Sequence, residues 1–268
     1  HVPHFNVPLF CPCPFFVTIH DLILHHYPNQ ASITKRIAYR ILMNHAVKHS
    51  AHIFAVSAFT ANEITQTYGE DLGKKMTVTH EGVSERFRLS SEEEKNRIRT
   101  KYNLPSSFLL YIGASKEHKN IQTLIAAVPE GQTLLLITGG KEVKRLSRRS
   151  NVRILSNVDD DDLPILMSAA RLYIQPSLYE GFGLPVLEAM ACGTTVVASN
   201  RTSIPEITQG NAVLVEPTKE GLTEGIRGAL SLSNDSVKAA EHARTFTWGK
   251  TAETVSKQYA DFFTSHSY

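Results

Sequence analysis

Apolar residues along the chain gather in short continuous runs, separated by longer stretches with helical spacing, almost from end to end. The runs are Phe15–Ile19, His52–Val56, Met76–Thr79, Phe108–Ile112, Thr133–Thr138, Val152–Leu155, Leu172–Gln175, Thr194–Ala198 and Ala212–Val215. They are apolar at successive positions, not at every second one, which predicts strands covered on both faces. Between them the spacing predicts helices over Ile33–Lys48, Ala58–Tyr68, Glu92–Lys101, Asn120–Val128, Lys141–Arg148, Asp160–Ala170, Pro185–Ala191 and Gly221–Leu230. Ser236 to Phe263 reads as two further helices with no strand between them. Strand–helix alternation of this kind is an α/β pattern, with parallel sheet and helices on both faces. Ser91 with Glu94 three residues later is a capping-box pattern at the start of 92–101.

A boundary falls near residues 86–107, where a polar, charged helix separates two series of strands. From Phe108 to Val215 six strands alternate with helices, enough for a whole Rossmann-like unit. The part before residue 86 offers only three, well short of the ~100 residues of a typical domain. It reads as the second half of another doubly wound domain. Residues 1–86 are therefore expected to form a partial N-terminal domain and 87–250 a C-terminal one. The helix of 251–268 is expected to pack back toward the N-terminal domain. The chain begins with His1 directly before structured-looking sequence, as a trimmed piece of a longer protein would.

Composition narrows the classes. In 268 residues, 42% are apolar and 20% charged, ordinary for a globular protein. Lys plus Arg total 28 against 26 for Asp plus Glu, a net charge of +2 that gives no support to a nucleic-acid binder. Cys11, Cys13 and Cys192 fit neither a disulfide framework nor a four-ligand zinc site, so a reducing cytoplasm is expected. No apolar run approaches the ~18 residues that suggest a spanning helix.

The most informative stretch runs from Pro176 to Gly193, PSLYEGFGLPVLEAMACG. A buried strand ends at Gln175, a loop follows with Gly181 and Gly183, and a helix begins with Pro185 in its first turn, where the missing N–H costs nothing. Glycines let backbone N–H groups approach a ligand, and a helix N-terminus adds positive potential, an arrangement suited to a diphosphate. Glu180 and Glu188 frame it. A loop at the carboxyl end of a strand is also where open α/β sheets bind ligands.

Residues 179–193 (YEGFGLPVLEAMACG) resemble the Glu-x7-Glu signature of family-4 retaining glycosyltransferases, which have the two-Rossmann-domain GT-B fold with parallel sheets facing across a cleft. Other stretches are similar in the same order. They are His1–Pro8, Thr18–Leu22, Val56-Ser57, Glu81–Val83, Tyr111–Gly113 with Lys119-Asn120, Ser199-Asn200 with Ile204–Glu206, and Phe246–Trp248. The resemblance implies a hexosyltransferase acting on a UDP- or GDP-linked sugar, with a carbohydrate or lipid-linked acceptor on the N-terminal side, in polysaccharide or glycoconjugate synthesis. Glu180 would bind hydroxyls of the donor sugar and stabilise its positive transition state, and His20 would face the sugar. Lys119 would offset charge on the leaving diphosphate, a cation at a helix start that the macrodipole alone disfavours. Glu188 would hold the ribose. Backbone N–H groups of Phe182, Gly183 and Leu184 would meet sugar and phosphates, Gly113 and Ser115 would complete the donor site, and loops near Gly139 and Val158 would face the base. No metal and no cofactor beyond the substrate nucleotide sugar is expected.

Departures from the family pattern also shape the expectations. Where relatives often carry a second basic residue, this chain has Ala114 and Ser115, with Lys116 slightly later, so diphosphate binding rests mainly on Lys119. The opening of the N-terminal domain is not represented, which keeps a non-catalytic nucleotide-binding subunit as a rival beside an epimerase on the same fold. Asp159–Asp162 reads as helix capping in preference to a metal site, since an amphipathic helix follows. The helix 33–48 sets Ile33, Ile37, Ile41 and Val47 against Lys35, Arg36, Arg40 and Lys48. A solvated helix back fits better than a membrane face, so weak peripheral contact at the inner face of a membrane is the second reading.

Overall fold

A computed structural model describes residues 1–138, 149–232 and 236–265. The expected helix at Lys141–Arg148 and the loop at Gly139 lie outside the described residues. Nine strands are present among the described residues, all in parallel pairs. They fall in two compact units. One comprises His1–Gly82, Glu180–Phe182 and Phe246–Tyr268; the other comprises Val83–Tyr179 and Gly183–Thr245.

The first unit holds a three-stranded sheet in the order β1-β2-β3: β1 (Phe16–Ile19), β2 (His52–Ala55) and β3 (Met76–Val78). Val17 pairs with Ile53, and Phe54 with Thr77. One face is covered by α1 (Ile33–His49), whose N-cap Ser32 accepts from the Lys35 N–H. Its buried residues are Tyr39, Met43, Ala46 and Val47. Of the four apolar positions set against the basic ones in the sequence, only Val47 points inward, while Ile33, Ile37 and Ile41, four residues apart, are 71%, 55% and 53% exposed. The other face is covered by α10 (Trp248–Ser265), where Tyr259 and Phe262 set their rings edge-on to Phe16 at 4.8 and 5.3 Å. Burying an aromatic such as Phe16 or Phe54 contributes about 1.5–3 kcal/mol. The chain can close here only because residue 82 is glycine: a Cβ there would sit inside contact distance of the Trp248 backbone nitrogen.

The second unit holds a six-stranded sheet in the order β6-β5-β4-β7-β8-β9. These are β4 (Leu109–Ile112), β5 (Leu134–Ile137), β6 (Val152–Leu155), β7 (Leu172–Gln175), β8 (Val196–Ser199) and β9 (Val213–Val215). The earliest strand lies at the centre, the next two build outward on one side, and β7 restarts on the other. This reversal between β4 and β7 is the topological switch point of a doubly wound sheet. Leu109, Leu134, Leu136, Leu172 and Ile174 pack with α4 (Ile121–Ala127) and α8 (Lys219–Ser231) on one face. On β7, Tyr173 Oη donates to Gln175 Oε1 (2.6 Å) and Gln175 Nε2 to Ser177 Oγ (2.8 Å), all three residues being buried. This chain of bonds fixes the start of the loop that follows the strand.

The capping box at Ser91 and Glu94 is present at the head of α3 (Glu92–Lys101). The Asp159–Asp162 run, however, caps nothing: neither Asp159 nor Asp162 accepts a side-chain cap bond at the head of its helical segment. A charged partner wins instead. Lys101 Nζ donates to Asp159 (2.7 Å) and Asp162 (2.5 Å), and Tyr102 Oη to Asp162 (2.7 Å). Burial alone would raise the Asp162 pKa, but these donors more than offset it and hold the carboxyl below its ordinary value. The run fastens α3 to the start of α5 (Leu163–Ala169).

Two glycines of α8 make opposite predictions. Gly228 faces open space, so Gly228→Ala should raise stability by about 0.5–1 kcal/mol in denaturant unfolding. Gly225 is buried, and a Cβ there would press on Val215, so Gly225→Ala should lower stability in the same assay.

Candidate donor-binding site

Two loops leave the carboxyl ends of the strands that flank the switch point. The first runs from Gly113, just after β4, through half-buried Ser115 and exposed Lys116 to a 3-10 turn at Glu117–Lys119. Asn120 closes this turn in the left-handed conformation (φ 55°), which Asn tolerates better than most residues. Its side-chain amide donates to the carbonyls of Pro176 (3.1 Å) and Pro217 (2.8 Å). One side chain therefore ties the loops after β4, β7 and β9 together. The Leu178 N–H adds a bond to the His118 carbonyl (2.7 Å). Half-buried Lys119 sits on this fastened turn, beside the switch point.

The second loop ends in α6 (Leu184–Ala191). Its N-cap is Gly183, with φ 102°, a residue with no side chain to cap the first-turn N–H groups. Any Cβ at Gly183 would also lie 2.5 Å from Ile204 Cδ1, on α7 (Ile204–Thr208), so glycine is required on two counts. Five of the eight residues of α6 are buried; the half-buried ones are Leu184, Pro185 and Glu188, which share a face. Glu188 is the one charged residue of that helix, one turn in from its N-terminal amides.

Glu180, Gly181 and Phe182 belong to the first unit. Gly181 serves the chain itself and not a ligand: a Cβ there would collide with the His20 carbonyl oxygen and lie 3.0 Å from Asp21 Cβ. Its carbonyl accepts from Ser57 Oγ (2.6 Å) and Thr60 Oγ1 (3.2 Å). The buried Phe182 ring lies against His80 (5.8 Å) and Phe246 (6.1 Å). The half-buried Glu180 thus projects from a tripeptide anchored on both sides.

At the end of β1, the His20 imidazole bonds through Nδ1 to Glu81 Oε1 (3.0 Å) and through Nε2 to the Pro3 carbonyl (3.1 Å). Both partners are acceptors, so the doubly protonated ring satisfies both and the neutral ring only one. The Glu81 hydrogen bond raises the His20 pKa against the opposing pull of burial, with the Pro3 carbonyl and Asp21 adding to it. Glu81, Ser57 and Thr60 are absent from the sequence-based set of site residues. The signal for Ser57 was its place before the helix 58–68; Glu81 carried no signal beyond its familiar stretch.

The expected residues therefore separate into groups. Gly113, Ser115, Lys119, Gly183, Leu184 and Glu188 lie on the two segments at the switch point. Val158 follows the edge strand β6, with β5 intervening before β4. His20, Glu180 and Phe182 lie in the first unit.

Residues 92–246 match the family model of group 1 glycosyl transferases, and residues 1–87 match that of glycosyltransferase family 4. The chain belongs to the family-4 glycosyltransferases. It is 33% identical over 262 residues to the O-antigen chain mannosyltransferase B of Escherichia coli, covering 89% of this chain and 68% of that protein. It is 29% identical over 215 residues to the O-antigen chain mannosyltransferase RfbU of Salmonella typhimurium, covering 76% of this chain and 57% of the relative. This glycosyltransferase thus spans about six-tenths of the length of those relatives. In fold it is similar to the sucrose-phosphate synthase of Thermosynechococcus elongatus (TM-score 0.77, 23% identity, 93% of this chain and 68% of the other). It is equally similar to Anabaena HepE, solved in complex with UDP-glucose (TM-score 0.77, 21% identity, 92% and 72%). The fold is GT-B, built from two Rossmann-like units.

A raised folded-state pKa for His20 contributes stability that is fully present below the unfolded value of 6.5 and is lost as pH rises through the folded value. Glu81→Gln should lower the His20 midpoint in an NMR titration. The native protein's stability advantage over that variant should be largest below pH 6.5 and shrink at higher pH.

Proposed function

We propose that this glycosyltransferase moves a hexose, with retention at the anomeric carbon, from a UDP- or GDP-linked sugar to a carbohydrate or lipid-linked acceptor. The observation that carries the reading is the switch point itself. A lysine on the fastened loop after β4, a helix start whose N-cap is glycine and a carboxylate one turn further on meet the needs of a nucleoside diphosphate. In this reading Lys119, with Ser115 beside it, neutralises the diphosphate, and the Gly183 and Leu184 amides bind its oxygens. Gly113 keeps the loop after β4 close to the phosphates. Glu188 accepts from the ribose hydroxyls, and Val158 borders the base. Glu180 and the Phe182 N–H meet the sugar, Glu180 stabilising the positive charge that develops as the glycosidic bond breaks. His20, whose pKa the Glu81 hydrogen bond raises, faces the sugar.

The reaction asks little else of the protein. As the diphosphate departs, its own oxygen takes the acceptor proton while the acceptor attacks the same face, so no separate base is assigned. The leaving charge is met by Lys119 and backbone amides, and the reaction is read as independent of metal. The names of the two enterobacterial relatives favour mannose as the sugar and an O-antigen type polysaccharide as the product, with GDP-mannose the first donor to test. An epimerase or a non-catalytic subunit finds no comparable support.

Glu180→Gln and Lys119→Ala should each lower transfer from the accepted donor by about 10²-fold or more without loss of the folded state. Activity should persist in EDTA. Glu188→Ala should weaken binding of the free nucleoside diphosphate about 10-fold or more by calorimetry, as expected for a lost hydrogen bond to a charged group. Native-like values in these assays overturn the corresponding roles.

The exposed face of α1 supports contact with an anionic membrane surface. Ile33, Ile37 and Ile41 line that face, the helix carries Lys35, Arg36, Arg40 and Lys48, and it has no Asp or Glu. Leu9 and Phe10, 60% and 85% exposed, lie on the segment between Phe5 and Phe15, whose rings contact Tyr39 and His45 of α1. Aliphatic residues amid cations fit an interfacial helix, and each basic residue adds about 1 kcal/mol near anionic lipid. Sedimentation should show binding to phosphatidylglycerol-rich vesicles but little to pure phosphatidylcholine, and Ile37→Glu should abolish it. No helix among the described residues is long and apolar enough to cross a membrane.

A further inference from the structure

We propose that Ser57 is a positioning residue for Glu180, holding its carboxylate at a fixed place relative to His20. The inference rests on the reading of Glu180 given above, but its argument comes from contacts within the first unit. Ser57 is fully buried, with three groups within hydrogen-bond distance of its hydroxyl, the third being Thr60 Oγ1 (3.1 Å). It accepts from the Thr60 N–H (3.0 Å), capping α2 (Ala58–Tyr68), and it donates to the Gly181 carbonyl (2.6 Å). Thr60, also fully buried, lies with its own hydroxyl 3.2 Å from the same carbonyl and 3.4 Å from the His20 carbonyl.

The cap alone would be satisfied by any short acceptor. What is unusual is that the capping hydroxyl spends its proton on a peptide more than a hundred residues away, next to the proposed catalytic carboxylate. That peptide is also pressed against the His20 backbone, because residue 181 has no Cβ. The rigid start of α2 therefore sets the height of the Gly181–Phe182 peptide, directly after Glu180, and the glycine contact sets its distance from the end of β1. The two residues assigned to the sugar, Glu180 and His20, hang from opposite sides of this one junction. Loops position reacting groups poorly unless a second set of bonds fixes them, and a small misplacement of a reacting group lowers turnover more than affinity.

The test compares five variants of the whole chain, with GDP release from GDP-mannose in the presence of acceptor polysaccharide as the readout and UDP-glucose as the second donor. Ser57→Ala should lower kcat about 10-fold or more with KM for the donor changed less than twofold, and Ser57→Thr, which keeps both bonds, should restore it. Ser32→Ala removes the N-cap of α1 in the same way but touches no site residue, so it should leave kcat native. In a Glu180→Gln background, Ser57→Ala should cause no further loss. If Ser57→Ala fails to fold, Thr60→Val takes its place, with amide exchange at Gly181 and Phe182 expected to speed up. Native kcat in Ser57→Ala, or an equal fall in Ser32→Ala, overturns the positioning role. Native turnover in Glu180→Gln overturns the reading of Glu180 instead, so the two failures are told apart.

Discussion

Burial of parallel strands on both faces is the constraint from which the rest follows. Leu109, Leu134, Leu172 and Ile174 on one face and Leu110, Leu135 and Tyr173 on the other are all fully buried, so the central strands of the second unit have no solvent-facing side. Polar chemistry is consequently displaced to strand ends, and all carboxyl ends of a parallel sheet lie along one rim. Where strand order reverses, between β4 and β7, the two departing loops separate and the rim opens. Everything assigned to the diphosphate and the ribose stands on those loops or on the helix that follows one of them. Asn120, bonding to the carbonyls of Pro176 and Pro217, prevents that opening from being a loose one.

The same logic explains what was legible in the sequence. Each of the nine apolar runs is a strand among the described residues; in the central ones, such as β7 and β8, burial on both faces writes a signature that needs no knowledge of partners, while β3, β6 and β9 are only partly buried. The helices with strong caps, such as Glu92–Lys101, were legible to the residue. What failed were readings in which a side chain's partner lies far away in sequence. Asp159 and Asp162 looked like helix caps until Lys101, about sixty residues earlier, claimed them. The isoleucines of α1 have helical spacing but point outward, since Tyr39, Met43 and Ala46 offer a broader face to the sheet. Only tertiary packing decides between two such stripes.

The donor site was legible to an unequal degree. The Glu180–Glu188 stretch could be found as a loop, a glycine and a helix start, since local chemistry imposes those residues. The reason for each glycine was not local. Gly183 answers to a left-handed backbone and to Ile204, while Gly181 answers to the carbonyl of His20. Glu81 and Ser57 were invisible as site residues because their roles consist of bonds to segments 61 and 124 positions away.

The glycine at position 82 has a consequence for how the molecule comes into being. It admits the backbone of Trp248, the first residue of a helix whose rings then roof over Phe16. The part of the first unit that precedes the second unit in the chain is completed by a segment that follows it, so one side of the small sheet can be covered only once the intervening unit has been synthesised.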